Sequence, residues 1–222
     1  MDVRSLRWNH ALIAIVRLPL ANPVLSRSRS SRTVASKTRA LLKTVYLQAA
    51  RLRDRVSHPR RHSLAMARLR AMKRPRQILV VCHGNICRSP YFQAVLQKAL
   101  PDVAVSSAGF IAAYRSVPPQ SLEVSGKRGY HLEGFRSRLL SSAMVRAADL
   151  IVVMEPSQGK QIAWLFGASK RRIVNAGDLD PNPGESRIIA DPWMKPVSAF
   201  ETTFDRLDRC AQALVSALRG AH

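Results

Sequence analysis

The chain has 222 residues, 46% of them hydrophobic, and a formal charge of +22. That apolar share suits a globular core and excludes a wholly disordered or fibrous protein, while three cysteines without framework spacing exclude a disulfide-stapled secreted scaffold. The charge is unevenly spread: residues 1–76 carry 19 Lys and Arg against only Asp2 and Asp54, whereas residues 77–222 carry 17 basic and 12 acidic residues.

The first segment, 1–76, reads as a basic extension, partly helical or disordered. Its apolar run Ala11–Leu20 is broken by Arg17 and Pro19 and is too short for a membrane span, so no transmembrane segment is expected. Ser-Arg repeats follow from Ser26 to Arg32. Between Ser36 and Val56, Leu42, Val45, Ala49, Leu52 and Val56 recur at steps of three and four, which predicts a basic amphipathic helix. Pro59-Arg60-Arg61 is expected to break it, with a second short helix over His62–Met72. An acid-poor, Arg- and Ser-rich segment of this kind suits an anionic surface, either a membrane or a nucleic acid backbone. It also fits a presequence, a solvated tail, or sequence upstream of a start at Met66 or Met72.

From Gln77 the pattern changes to short β-branched runs alternating with helices. Ile78–Cys82, Val103–Ser107, Leu150–Met154 and Arg172–Asn175 read as strands. Helices are expected over Pro90–Leu100 with Ser89 as N-cap, over Ser121–Tyr130, over Gln158–Phe166, and over Phe200–Leu218. The expected architecture is α/β over 77–222: a small parallel four-stranded sheet with helices on both faces, preceded by the basic extension. In such folds ligands bind beyond the carboxyl ends of the strands, so the loop after the first strand is the place to look.

That loop reads Cys82-His83-Gly84-Asn85-Ile86-Cys87-Arg88-Ser89-Pro90. Placed between a buried strand and a helix N-terminus, its backbone N–H groups would form an anion nest. Gly84 and Asn85 are residue types that tolerate the unusual backbone angles of such a loop. A helix N-terminus and a nearby arginine favour the thiolate form of a cysteine, which is the nucleophilic one. A phosphate monoester held by the nest and by a bidentate Arg88 would present phosphorus to Cys82, giving a phosphocysteine that water later hydrolyses. No metal-ligand spacing is present among Cys and His, and no cofactor is implied.

The run Cys82–Pro90 resembles the signature of low-molecular-weight protein tyrosine phosphatases almost letter for letter. The likeness continues at Ser107-Ala108-Gly109, Arg136-Ser137-Arg138, Ala148–Ile151 with Met154-Glu155, and Asp191-Pro192. This resemblance implies a cysteine-dependent phosphatase acting on phosphotyrosine-containing proteins, and the few unpatterned cysteines fit a reducing compartment, so a cytoplasmic setting is expected. It implies that Asp191 is the general acid, that Trp193 borders the mouth, that Ser89 offers its hydroxyl to the nucleophile, and that Asn85 holds the loop. His83, Gly84, Ile86 and Cys87 complete the expected substrate-binding set. Two departures stand out: Phe135 replaces a histidine that relatives place behind the loop, and Phe92-Gln93 stands where relatives often have Ala-Glu.

Several assignments stay open. Cys87 is either a second thiol that traps oxidised Cys82 as a disulfide or a loop-packing residue; Cys210, beside the apolar stripe of the last helix, reads as core. Phosphoarginine hydrolysis and arsenate reduction use the same scaffold. Arsenate reductases of this fold need two further downstream cysteines where only Cys210 is present, and the arginine enzymes resemble this loop but carry Thr at the position of Ile86. A catalytically weak phosphate-binding module with a basic tail is the reading from another class.

Overall fold

The structure is a computed structural model that describes residues 29–182 and 186–220; the apolar run Ala11–Leu20 lies outside them. The chain divides into two units, 1–44 and 45–222. In the first unit the described residues are helical, and Leu41 and Leu42 are 64% and 63% exposed.

The first helix, α1, runs over Arg29–Ala71. The break expected at Pro59 does not occur: the helix passes through it. A proline inside a helix removes one backbone bond and costs about 3 kcal/mol. Side chains brace the flanking turns, since Ser57 Oγ donates to the Arg53 carbonyl and the Arg61 guanidinium donates to the Asp54 carbonyl at 2.6 Å. Burial supplies more: Ala65, Met66 and Leu69 sit in the main core, Leu69 being 1% exposed. The last turns of α1 are helical as expected over His62–Met72, but they also pack into the core, which sequence alone did not foresee.

Four strands follow: β1 Gln77–Cys82, β2 Ala104–Gly109, β3 Leu150–Val153 and β4 Ile173–Asn175. All pairings are parallel, in the order β2-β1-β3-β4. Each strand lies within about two residues of its expected place. Alternation along β1 sends Ile78, Val80 and Cys82 to one core and Leu79 and Val81 to the other. The first core is closed by α2 (Arg88–Ala99) and α6 (Val197–Arg219), where Tyr91 stacks on Phe204 at 3.8 Å between ring centroids. The second is closed by α4 (Ser142–Ala147) and α5 (Pro156–Phe166), and α3 (Pro119–Lys127) packs beside α6. Helix α4 was not foreseen; six residues are too few for a periodic signal, although Ser141 caps it by accepting from the Met144 N–H. Cys210 is wholly buried in the first core, and burial pushes its thiol up to about 12.

Strand β1 is central, and the chain leaves it to one neighbour, β2, and later returns to the other, β3. The carboxyl end of β1 is thus a topological switch point, where the sheet opens a crevice. Among the described residues, no helix is long and apolar enough to cross a membrane.

Candidate active site

At the end of β1 the chain turns through residues 83–87 straight into α2, whose first residue is Arg88. The opening N–H groups of a helix lack intrahelical partners and carry the positive end of its dipole, so this loop faces an electropositive backbone. Two residues let the chain make the turn. Asn85 has φ 50°, in the left-handed region that asparagine tolerates better than most. Gly109 pairs in register with Cys82, and a Cβ there would lie 2.8 Å from the His83 carbonyl oxygen and 2.9 Å from the Asn85 nitrogen. Only glycine lets β2 pass so close under the loop.

A buried polar relay holds the loop from behind. The Asn85 amide donates to Ser89 Oγ at 2.8 Å and to Ser107 Oγ at 2.9 Å, and its Oδ1 accepts from the Arg138 N–H at 2.8 Å. Ser107 in turn donates to Gln93 Oε1 at 2.6 Å. Ser89 Oγ lies 3.0 Å from Cys82 Sγ, and the Asn85 backbone N–H donates to the same sulfur at 3.3 Å. Ser89 is therefore not the N-cap expected from sequence; that position is Cys87, without a side-chain cap, and the Ser89 hydroxyl is directed to the sulfur instead. The two departures also resolve: Phe135 packs against the main core and takes no part in the relay, whereas Gln93 terminates it.

Arg88 is 1% exposed. Its Nη1 donates to Glu155 Oε1 at 3.0 Å and to the Ile189 carbonyl at 2.9 Å, and its Nη2 meets the Asp191 carboxylate. Its Nε is buried and has no hydrogen-bond acceptor among the described residues. A buried guanidinium N–H without an acceptor carries a desolvation cost of about 1–3 kcal/mol. One N–H of the guanidinium is thus left without an acceptor.

Cys82, His83, Gly84, Ile86, Cys87, Arg88, Asp191 and Trp193 all line one cavity of about 230 Å³. Asn85 and Ser89, expected with them, stand behind the loop and do not line it. Ile111 and Arg115 do line it and were missed from sequence. Arg115 lies over the Trp193 ring at 5.2 Å from its centroid, so the mouth joins an aromatic face to a cation. Nothing in a chain with 36 Lys and Arg marks Arg115 out. Cys87 is buried in the same wall, and burial, with the negative charges of Asp191 and Cys82, pushes its thiol well above the ordinary range. Among the described residues no cluster of three His, Cys, Asp or Glu could hold a metal ion.

The sequence profile of the family described as "Low molecular weight phosphotyrosine protein phosphatase" matches residues 77–221. A curated relative from Ralstonia nicotianae, "Probable low molecular weight protein-tyrosine-phosphatase EpsP", is 38% identical over 144 residues, 64% of this chain and 95% of its own length. Escherichia coli Etp, a low-molecular-weight protein-tyrosine-phosphatase, is 35% identical over 61% of this chain and 89% of its own. Among solved structures, Erwinia amylovora tyrosine phosphatase amsI superposes with a TM-score of 0.60 at 33% identity, covering 64% of this chain and 93% of that one. The YwlE arginine phosphatase from Geobacillus stearothermophilus gives 0.59 at 28% identity, covering 65% and 94%.

Proposed function

Because the chain belongs to the low-molecular-weight protein tyrosine phosphatase family and is a phosphatase, we propose that it hydrolyses phosphotyrosine in proteins through a phosphocysteine on Cys82. The observation that carries this reading is the buried, acceptor-free Arg88 Nε in a cavity shared with Cys82 and Asp191. A phosphoryl oxygen supplies the missing acceptor, and a second displaces Asp191 from Nη2 to complete a bidentate grip. The N–H groups of residues 83–88 take the remaining charge at the start of α2.

The thiolate of Cys82 then attacks phosphorus, an S–P bond forms, and the P–O bond to the leaving group breaks. Asp191, freed from its ion pair with Arg88, takes up a proton from solvent and passes it to the departing phenolate oxygen. In the second step Asp191 takes a proton from water, which attacks phosphorus and releases Cys82 with inorganic phosphate. Ser89 Oγ, 3.0 Å from the sulfur, donates to it as it regains negative charge. Cys87, held protonated by burial, serves as a wall of the pocket. Every step uses groups of the chain and water, without a cofactor.

Ile86, Ile111 and Trp193 give the pocket apolar sides that suit an aryl ring. That favours phosphotyrosine over phosphoarginine, whose cationic leaving group would face Arg115. The catalytic domain is 77–222 and its setting is the cytoplasm. Residues 1–76 supply a basic extension whose exposed Val45, Leu52 and Val56, 54%, 63% and 73% accessible beside exposed Arg53 and Arg55, suit an anionic membrane surface better than a nucleic acid backbone.

The test is turnover of a phosphotyrosine peptide and of phosphoarginine by wild type, Cys82→Ser and Asp191→Asn. The reading expects hydrolysis of the peptide, none in Cys82→Ser, and a large defect in Asp191→Asn. Preference for phosphoarginine would overturn the substrate assignment, and an inactive wild type would overturn the whole. Cosedimentation of the full chain with anionic but not neutral vesicles checks the extension.

A further inference from the structure

The loop that carries Asp191 is tied down from an unexpected side. Arg187, four residues before Asp191, grips Asp178 through Nε at 2.9 Å and Nη2 at 2.5 Å. Asn175 donates to the Arg187 carbonyl at 2.8 Å, and Gly177 passes so close that a Cβ would lie 2.1 Å from that oxygen. From there the chain reaches Ile189, which is fully buried, donates to the Met154 carbonyl at 3.0 Å and accepts from Arg88 at 2.9 Å. Asp191 follows two residues on. Arg187 and Asp178 thus hold the start of the short segment that ends at Asp191, with Ile189 held midway along it.

Those two residues are in turn held by α1. Arg61 Nε donates to Asp178 Oδ1 at 3.3 Å, and His62 Nδ1 lies 3.1 Å from the Asp178 carbonyl oxygen. The Arg187 N–H points at Asp54 Oδ2, 3.4 Å away, while Arg61 returns to the Asp54 carbonyl at 2.6 Å. Asp54 is one of only two acidic residues in the first 76, and its side chain is 17% exposed rather than solvated. Arg61 is 19% exposed, so these contacts are partly shielded from water. All three helix residues lie upstream of the family match, which begins at Gln77.

We propose that Asp54, Arg61 and His62 are positioning residues for Asp191: this chain's extension braces, from upstream of the matched domain, the Arg187–Asp178 pair that holds the acid loop. The inference rests on the reading of Asp191 as general acid. Loosening the anchor should slow the step that needs the proton while leaving phosphate binding at residues 82–88 alone. A substrate with an acidic leaving phenol scarcely needs that proton, whereas a weakly acidic one does.

The experiment measures kcat/KM of the full chain on 4-nitrophenyl phosphate and on phenyl phosphate, with inorganic phosphate as competitive inhibitor. Arg61→Gln should lose about tenfold on phenyl phosphate, roughly 1.4 kcal/mol of barrier, and less than about threefold on 4-nitrophenyl phosphate, with unchanged inhibition by phosphate. Asp54→Asn, a gentler change should Arg61→Gln fold poorly, should show the same selectivity at about threefold. Arg68→Gln is the control, because Arg68 docks the same helix by donating to the Lys170 and Arg171 carbonyls, away from the acid loop. It should lower the melting temperature without leaving-group selectivity. Equal losses on both substrates in Arg61→Gln, no loss at all, or the same selectivity in Arg68→Gln would overturn the proposal. Asp191→Asn separates the two layers: if it is itself unselective, the acid assignment falls and takes this inference with it, whereas a selective Asp191→Asn beside an unselective Arg61→Gln removes the inference alone.

Discussion

Replacing Asn85 by alanine removes one side chain that does three buried jobs and leaves a β-carbon in a left-handed backbone. The Arg138 N–H, at the part-buried edge of the relay, loses its acceptor, and the fully buried Ser89 and Ser107 each lose a donor. An orphaned buried N–H costs about 1–3 kcal/mol and each lost neutral bond about 0.5–1.5 kcal/mol. Alanine at φ 50° adds about 1 kcal/mol relative to asparagine. The expected loss is thus about 3–7 kcal/mol, a large part of the 5–15 kcal/mol typical of a domain. Urea unfolding measures it directly. Asn85→Gly separates the two sources, because glycine restores backbone freedom but none of the bonds, and should unfold about 1 kcal/mol later than Asn85→Ala. A loss below about 1 kcal/mol in Asn85→Ala would refute the relay as the support of the loop, and equal stabilities for Ala and Gly would refute the backbone strain at φ 50°.

Other consequences follow from the same contacts. Gly109→Ala places a methyl 2.8 Å from the His83 carbonyl, so the loop must shift; kcat/KM on an aryl phosphate should fall on the order of 10²-fold while the fold survives by circular dichroism. Leu69→Ala should cost about 2–5 kcal/mol in urea unfolding, against within about 0.5 kcal/mol for Leu52→Ala on the same helix, because Leu69 is 1% and Leu52 63% exposed. His58 should make stability sensitive to acid. Burial first, then the neighbouring His62 and Arg61, lower its pKa below 6.5, against the pull of Asp180. The folded chain therefore resists the proton that the unfolded chain accepts. Stability from this group is complete above 6.5 and is lost as pH falls below it, until the lowered folded value is reached. His58→Gln should flatten the difference between urea midpoints measured on either side of pH 6.5.

The sheet was legible because β1 and β3 are continuous β-branched runs, and such runs between helices leave few alternatives to a parallel core. The site was legible because one loop carries most of it: residues 82–89 are contiguous, so a strand end and a helix start suffice to place them. What sequence could not supply were contacts made across long separations. Arg115 reaches the mouth only because the segment after β2 folds over it, and Gln93 joins the relay only because α2 presents it to Ser107 on a neighbouring strand. The continuity of α1 was misread for a related reason. Pro59 is locally a stop signal, and the buried contacts of Ala65, Met66 and Leu69 that outweigh it are made with residues distant in sequence. Ser89 was assigned a cap by its position, yet a sulfur 3.0 Å away claimed its hydroxyl.

The central claim is that Cys82 carries the phosphoryl group during turnover. Mixing the full chain with a phosphotyrosine peptide, quenching in acid within the first turnover and mapping the product by mass spectrometry tests it. The account expects a phosphate-mass adduct on the peptide containing Cys82, localised to that sulfur, absent from Cys82→Ser and persisting longer in Asp191→Asn. Steady hydrolysis with no adduct at any quench time, or an adduct on Cys87 instead, would contradict it.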